Sequence, residues 1–229
     1  MPQETGDIMN AKLRAYAPLL WILVIPVLNL FYGPLNHGNG TVSSLMTDLD
    51  KQIPFIPVFI IPYLLWYPFI IVMLIAFFVS NKQVYYLTLL TQCLGLISCY
   101  LVYALFQTTV PRPSIPEYGI LYKLVAFVYN TDQPFNCFPS IHVLTSYLVI
   151  KGASLCRKLP KLCRAAVYTC SWSIICSTLF VKQHVLLDIA GAIVLIEILW
   201  YVLSRLSPFK QTILLKGVNQ GEQNEHFGR

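Results

Sequence analysis

Apolar and polar positions divide the chain into six hydrophobic stretches, at about 16–34, 57–79, 84–106, 141–155, 162–181 and 185–205. Runs approaching ~20 residues predict membrane-crossing helices, since a helix pairs its backbone N–H and C=O groups internally within lipid. The fourth stretch, "IHVLTSYLVIKGASLC", includes Ser, Thr and Lys151, and the fifth also carries Ser and Thr. Helices of that composition belong inside a bundle rather than facing lipid. Between the third and fourth stretches, the three prolines of "VPRPSIPEYG" break any helix. The following "ILYKLVAFVY" predicts a short helix along the membrane interface. The expectation is an all-α, polytopic membrane protein of six spans. It has one membrane-embedded domain over 1–210 and a polar, disordered cytoplasmic tail over 211–229, where His226 has no evident role.

Composition agrees with this class. Of 229 residues, 56 % are hydrophobic and 11 % charged, against roughly 25 % charged in an ordinary soluble domain. The polar, acidic start "MPQETGD" does not suit a cleaved signal peptide, so the first apolar run is expected to be a span. With the N-terminus inside, twelve Lys and Arg fall on the inner side, most densely in "RKLPKLCR". Lys51, Arg112, Lys123 and Lys182 fall outside. That bias follows the positive-inside rule. The net charge of +6 is therefore topological, and no soluble basic face is available for nucleic acid. Seven scattered cysteines without a CxxC pair read as small hydrophobes rather than a disulfide framework.

Candidate chemistry gathers at the outer ends of the later spans. His184 and Asp188, in "KQHVLLD", are four residues apart and share a helix face. A carboxylate at the beginning of a membrane helix is costly unless it is paired or functional. Paired with His184, it would hold one ring nitrogen as a donor and leave the other free as nucleophile or base. His142 follows "FPS", where Ser140 can cap a helix starting at Ile141. Free amides at that end, with Ser140 and nearby basic side chains, form a phosphate cradle. The same residues also fit a structural role, as interfacial histidines and an interhelical carboxylate. Two histidines and an aspartate offer three zinc ligands, but no further strong ligand is clearly placed, so no metal or other cofactor is expected.

"CFPSIH" and "STLFVKQHVLLDIAG" resemble the second and third signature motifs of the type 2 phosphatidic acid phosphatase (PAP2) superfamily of membrane enzymes. The spelling is closest to the branch containing inositol phosphorylceramide synthases, and "DLDKQIPFIPVFIIPYLLWY" is similar to that branch's opening segment. The resemblance spans about 48–200. It implies a six-helix bundle in a bacterial cytoplasmic membrane, both termini cytoplasmic and the active site at the outer face. It further implies His184 as phosphoryl-accepting nucleophile, oriented by Asp188, with His142 as acid for the leaving group. Arg112-Pro113 matches part of the first motif, but Leu105 stands where the family has lysine. Ser177-Thr178 replaces Ser-Arg, and Ile141 replaces the usual glycine. The expected phosphate-binding set is therefore Arg112, Ser140, Ile141 and Lys182, with Lys123 a weaker substitute for the missing cations.

The expected activity is metal-independent hydrolysis of a lipid phosphate or isoprenyl diphosphate. Phosphotransfer to a lipid or alcohol hydroxyl shares the first half-reaction. The missing cations also leave room for a non-catalytic lipid transporter or binding protein. The partners are the lipid substrate and membrane lipids, and the oligomeric state is open.

Overall fold

Each long apolar run of the sequence folds as a helix in the computed structural model, which describes residues 14–38 and 41–206. The expected tail over 211–229, and with it His226, lies outside the described residues. The first span, α1 (Arg14–Leu35), mixes 3-10 and α-helical turns. Pro18, Pro26 and Pro34 recur along it, and each removes a backbone donor. The short α2 (Asp48–Gln52) opens with a capping box in which the Thr47 and Asp50 side chains each bond the other's amide. α3 (Ile60–Ser80) and α4 (Lys82–Leu105) form a hairpin at Asn81, whose side chain accepts from the amides of Gln83 and Val84. α5 (Ile120–Thr131) is the short helix expected after the proline-rich loop. α6 (Ile141–Leu155), α7 (Lys161–Phe180) and α8 (Leu186–Ser204) complete the bundle. Two residue pairs, Ser43–Ser44 (β1) and Thr108–Thr109 (β2), make a minimal parallel ladder beside it.

Four helices, not six, are long and apolar enough to cross a membrane among the described residues: α1, Pro57–Ser80, α4 and α8. The fourth expected span is too short. At 15 residues α6 reaches about 22 Å, against ~30 Å of hydrocarbon. It packs against α3, α4, α7 and α8. Leu144, Thr145, Ser146 and Leu148 on it are all buried, so its low hydropathy reflects protein neighbours on its flanks. The fifth, α7, has 20 residues but carries Lys161, Arg164 and a row of Ser and Thr, three of them buried. Lys151 on α6 is not stranded. Its ammonium lies 2.8 Å from both carboxylate oxygens of Glu197 on α8, and the Tyr147 hydroxyl adds a 2.6 Å bond.

Between apolar helices in lipid, association depends on close packing more than on water exclusion. The core runs on both sides of α6. Phe77, Leu74 and Tyr85 pack on one side, and Leu96, Leu148 and Ile196 on the other. Gly152 shows how tight the contact is: a Cβ there would meet the Phe77 ring at 2.6 Å.

The loops at one end of the bundle interlock. The Ser43 amide donates to Gln107 at 3.0 Å, the Ser140 amide to the Asp188 carbonyl at 3.3 Å, and Lys182 to the carbonyls of Asp50 and Ile53. Tyr118 in one of these loops and Leu162 at the start of α7 are both 82 % exposed. On a cysteine-free background, Tyr118→Cys should react with a membrane-impermeant maleimide on intact cells. Leu162→Cys should react only after permeabilisation. The reverse pattern would invert the expected orientation.

Candidate active site

α7 ends at Phe180, and α8 begins at Leu186 after five intervening residues. The chain turns between them because the Thr178 carbonyl accepts the amides of both Gln183 (3.0 Å) and His184 (3.1 Å). Lys182 sits at φ 55° in this turn, a left-handed conformation uncommon outside glycine. His184 is thereby placed just ahead of α8. Asp188, at the third position of α8, bonds back to the Val185 amide at 2.9 Å and to His184 Nδ1 at 3.3 Å. The free amides of a helix start favour a carboxylate there.

His184 Nδ1 also lies 3.0 Å from the Cys137 carbonyl oxygen. Carbonyl and carboxylate oxygens only accept, so Nδ1 carries the proton and donates between them. In the neutral form of the ring the lone pair is on Nε2. His184 lines a cavity of about 370 Å³, while Asp188 lies behind it, fully buried.

His142 enters the same cavity from the first turn of α6. Its ring stacks on Tyr63 (centroids 4.4 Å) and packs on Trp66 (4.0 Å), and its centroid is 5.9 Å from that of His184. Trp66 is itself fixed by a 2.7 Å bond to Thr145. Ser140 caps α6 by accepting the Val143 amide, and Ile141 lines the cavity. Gly191 lets the motif loop sit directly on α8, since a Cβ there would meet the Phe138 ring at 2.3 Å.

The expected cations are placed differently. Arg112 donates to the carbonyls of Tyr129 (2.9 Å) and Asp132 (2.6 Å) and to the Gln183 amide oxygen (2.7 Å), and it stacks on Tyr129. It pins the C-terminal end of α5 to the His184 turn. Lys182 holds the carbonyls at the C-terminal end of α2, and burial, partly offset by Asp50, lowers its ammonium pKa. Neither lines the cavity, nor does Lys123. Ser177 and Thr178 bond back into their own helix. Among the described residues, the cavity wall contains no lysine or arginine.

Sequence reasoning passed over the rest of the wall. Asp132 lines the cavity, accepting from the Tyr32 hydroxyl and from Asn36 at 3.2 Å. Tyr63 contributes a buried hydroxyl with no partner among the described residues. Tyr63, Trp66 and Tyr67, at i, i+3 and i+4, were the available signal, an aromatic face at the start of the second long span. Asp50 was also missed. Its carboxylate accepts from Thr47 and, at 2.8 Å, from the Leu186 amide at the start of α8.

Cys137, His184 and Asp188 each offer a ligand atom within 4.8 Å of the others, so this trio could hold a metal ion. Burial, reinforced by Asp188 and Asp132, pushes the Cys137 thiol pKa up. A metal bound through the thiolate and Nδ1 would have to displace a proton from each. The arrangement as it stands is a proton-bearing cluster. Comparison with family models, curated proteins and solved structures finds no match for this chain. A buried His–Asp pair facing a shared cavity is an arrangement suited to catalysis.

Burial opposes ionisation of Asp50. The bonds from Thr47 and Leu186 and the charge of Lys182 outweigh it, holding the carboxyl below its ordinary pKa. Asp50→Ala should cost about 2 kcal/mol of stability, the scale of charge-assisted hydrogen bonds, and loosen the His184 turn. A carboxylate with a lowered folded pKa stabilises fully above its unfolded value and loses that contribution as pH falls through the folded one. The melting temperature of the detergent-purified protein should therefore drop below pH ~4, and Asp50→Ala should lack that component. Identical melting profiles for the two proteins would exclude the clamp.

Proposed function

We propose that the protein is a membrane phosphatase acting on a lipid phosphate or isoprenyl diphosphate through a phosphohistidine, on a PAP2-type helical bundle with its site at the outer face. The observation that carries this reading is His184 Nδ1 held between two acceptors, leaving Nε2 as the nucleophile in a cavity shared with His142. In the first step Nε2 forms a bond to phosphorus as the bond to the leaving oxygen breaks, and His142 donates a proton to that oxygen. Asp188 offsets the positive charge that develops on the imidazole. In the second step water attacks phosphorus, the P–N bond breaks, and His142 takes the proton back. His142 thus begins the cycle as the imidazolium, and Tyr63 O–H supplies a neutral donor for the phosphoryl oxygens.

Asp132 favours a second reading, phosphotransfer. A carboxylate on the wall, held by Tyr32 and Asn36, is suited to accept the proton of an acceptor hydroxyl in place of water.

Purified protein should release phosphate from lipid phosphates and diphosphates without added acceptor, and should do so in the presence of a chelator. Strict dependence on a hydroxyl acceptor would select transfer. Loss on chelation with recovery on zinc would make Cys137, His184 and Asp188 a metal centre instead. An acid-labile phosphoprotein should be trapped during turnover and be absent in His184→Ala. His142→Ala should slow release of poor leaving groups most. Asp188→Asn should lower turnover by roughly 10²–10⁴-fold in a folded protein. Phosphate trapped on His142, or lipid movement that survives His184→Ala without any turnover, would defeat the assignment.

A further inference from the structure

A second cavity adjoins the first. It measures about 160 Å³, and its walls include Ile22 and Ile25 of α1, Ile70 and Ile71 of α3, and Leu96 of α4. Asn29, Trp66 and Tyr67 belong to both cavities, so the histidine chamber and this cleft share a boundary.

Their order along the bundle is the same on all three helices. On α1, which reaches the loop end at Leu35, the chamber uses Asn29 and Tyr32 and the cleft runs back to Ile22. On α3, which starts at that end, the chamber begins at Tyr63 and the cleft continues to Ile71. On α4, which ends there, the chamber takes Tyr103 and the cleft Leu96 and Gln92. Seven residues from Asn29 to Ile22 correspond to about 10 Å of helix. The cleft is therefore the deeper continuation of the chamber, along the direction in which a lipid chain hangs from its headgroup. The walls change with depth. Carboxylate, imidazole and phenol line the chamber, whereas aliphatic side chains dominate the cleft.

At the boundary, Asn29 Oδ1 accepts the Tyr100 hydroxyl at 2.9 Å. Its amide nitrogen has no partner among the described residues and is a donor placed where a polar head would give way to a chain. On the outer side, Leu23 and Ile71 are 58 % and 48 % exposed, so the cleft opens sideways between α1 and α3. Its volume equals about five water-sized groups at ~30 Å³ each, room for the first carbons of one chain.

We propose that the cleft between α1, α3 and α4 seats the first carbons of a single hydrocarbon chain of the substrate, with the rest leaving sideways into lipid. This rests on the proposed phosphate chemistry for what occupies the chamber, and it names the substrate as a lipid whose one chain enters the protein. A phosphate alone would leave the cleft unfilled.

The test uses soluble n-alkyl phosphates from ethyl to octyl and a non-hydrolysable alkyl phosphonate with a diazirine at its sixth carbon. For the wild type, kcat/KM should rise about fourfold per methylene, the fold-change of burying one CH₂, and level off beyond about six carbons. Ile71→Trp fills the cleft from its exposed side, and Ile71 itself lines the cleft and not the chamber. It should flatten the chain-length series while ethyl phosphate turnover stays near wild type. Photolysis should label the 22–26, 70–71 or 92–96 segments. Labelling there without turnover of any phosphate would sink the phosphatase reading and leave the chain site standing. Turnover with labels confined to other segments, or a chain-length series unchanged by Ile71→Trp in a monodisperse protein, would overturn the chain site.

Discussion

Asp188 is the group on which the site's geometry depends. A carboxylate removed from water is destabilising unless hydrogen bonds or charges compensate. Here the Val185 amide and His184 Nδ1 both donate to Oδ2, at the start of a helix whose free amides favour negative charge. The compensation also fixes the tautomer, because a proton held on Nδ1 puts the lone pair of the neutral ring on Nε2. Through its backbone carbonyl the same residue accepts the Ser140 amide, and one turn later Gly191 admits the Phe138 ring. The first two turns of α8 thus hold the loop that delivers His142 as well as the turn that delivers His184. The two rings meet because both loops are anchored to one helix.

The two cations expected to hold phosphate have a common use elsewhere. Arg112 bonds the carbonyls of Tyr129 and Asp132 at the end of α5, and Lys182 those of Asp50 and Ile53 at the end of α2. Both satisfy helix C-terminal carbonyls, where positive charge is favoured. Each also ties its helix to the His184 turn, Arg112 through Gln183 and Lys182 through its own place in that turn. Asp50 closes the arrangement from the other side by accepting the Leu186 amide. The segment 47–53 is thereby a brace for the histidine turn.

What was legible in the sequence follows from what is local. The four long apolar helices, the Ser140 cap and the His184–Asp188 contact are set by spacing within one segment, and each is present, with His184 in the turn ahead of α8 rather than on its face. The six-span count failed at α6 and α7: their Ser and Thr signalled a place inside the bundle, but not that α6 is too short, or α7 too polar, for a span. Arg112 and Lys182 read as ligand cations because a sequence shows charge but not the backbone carbonyls that consume it. Asp132, Tyr63 and Asn29 reach one cavity from three distant segments. That convergence depends on packing, and only the aromatic spacing of 63, 66 and 67 hinted at it.

A chamber with a carboxylate on its wall, and no lysine or arginine among the described residues that line it, constrains phosphate chemistry. Under the proposed function, a phosphoryl group entering with two negative charges meets the Asp132 carboxylate with no lysine or arginine among the described wall residues, Arg112 being engaged behind it, and the repulsion grows in a site of low dielectric. A singly charged phosphate, such as a diester or a protonated monoester, meets half that repulsion. Neutral donors such as Tyr63 O–H are adequate for the smaller charge, and they need no counter-ion when the chamber is empty. The same carboxylate is at its most useful when the attacking group is a hydroxyl whose proton must be removed. The electrostatics therefore weigh toward singly charged phosphates, and Asp132 is the residue on which the choice between water and a hydroxyl acceptor turns.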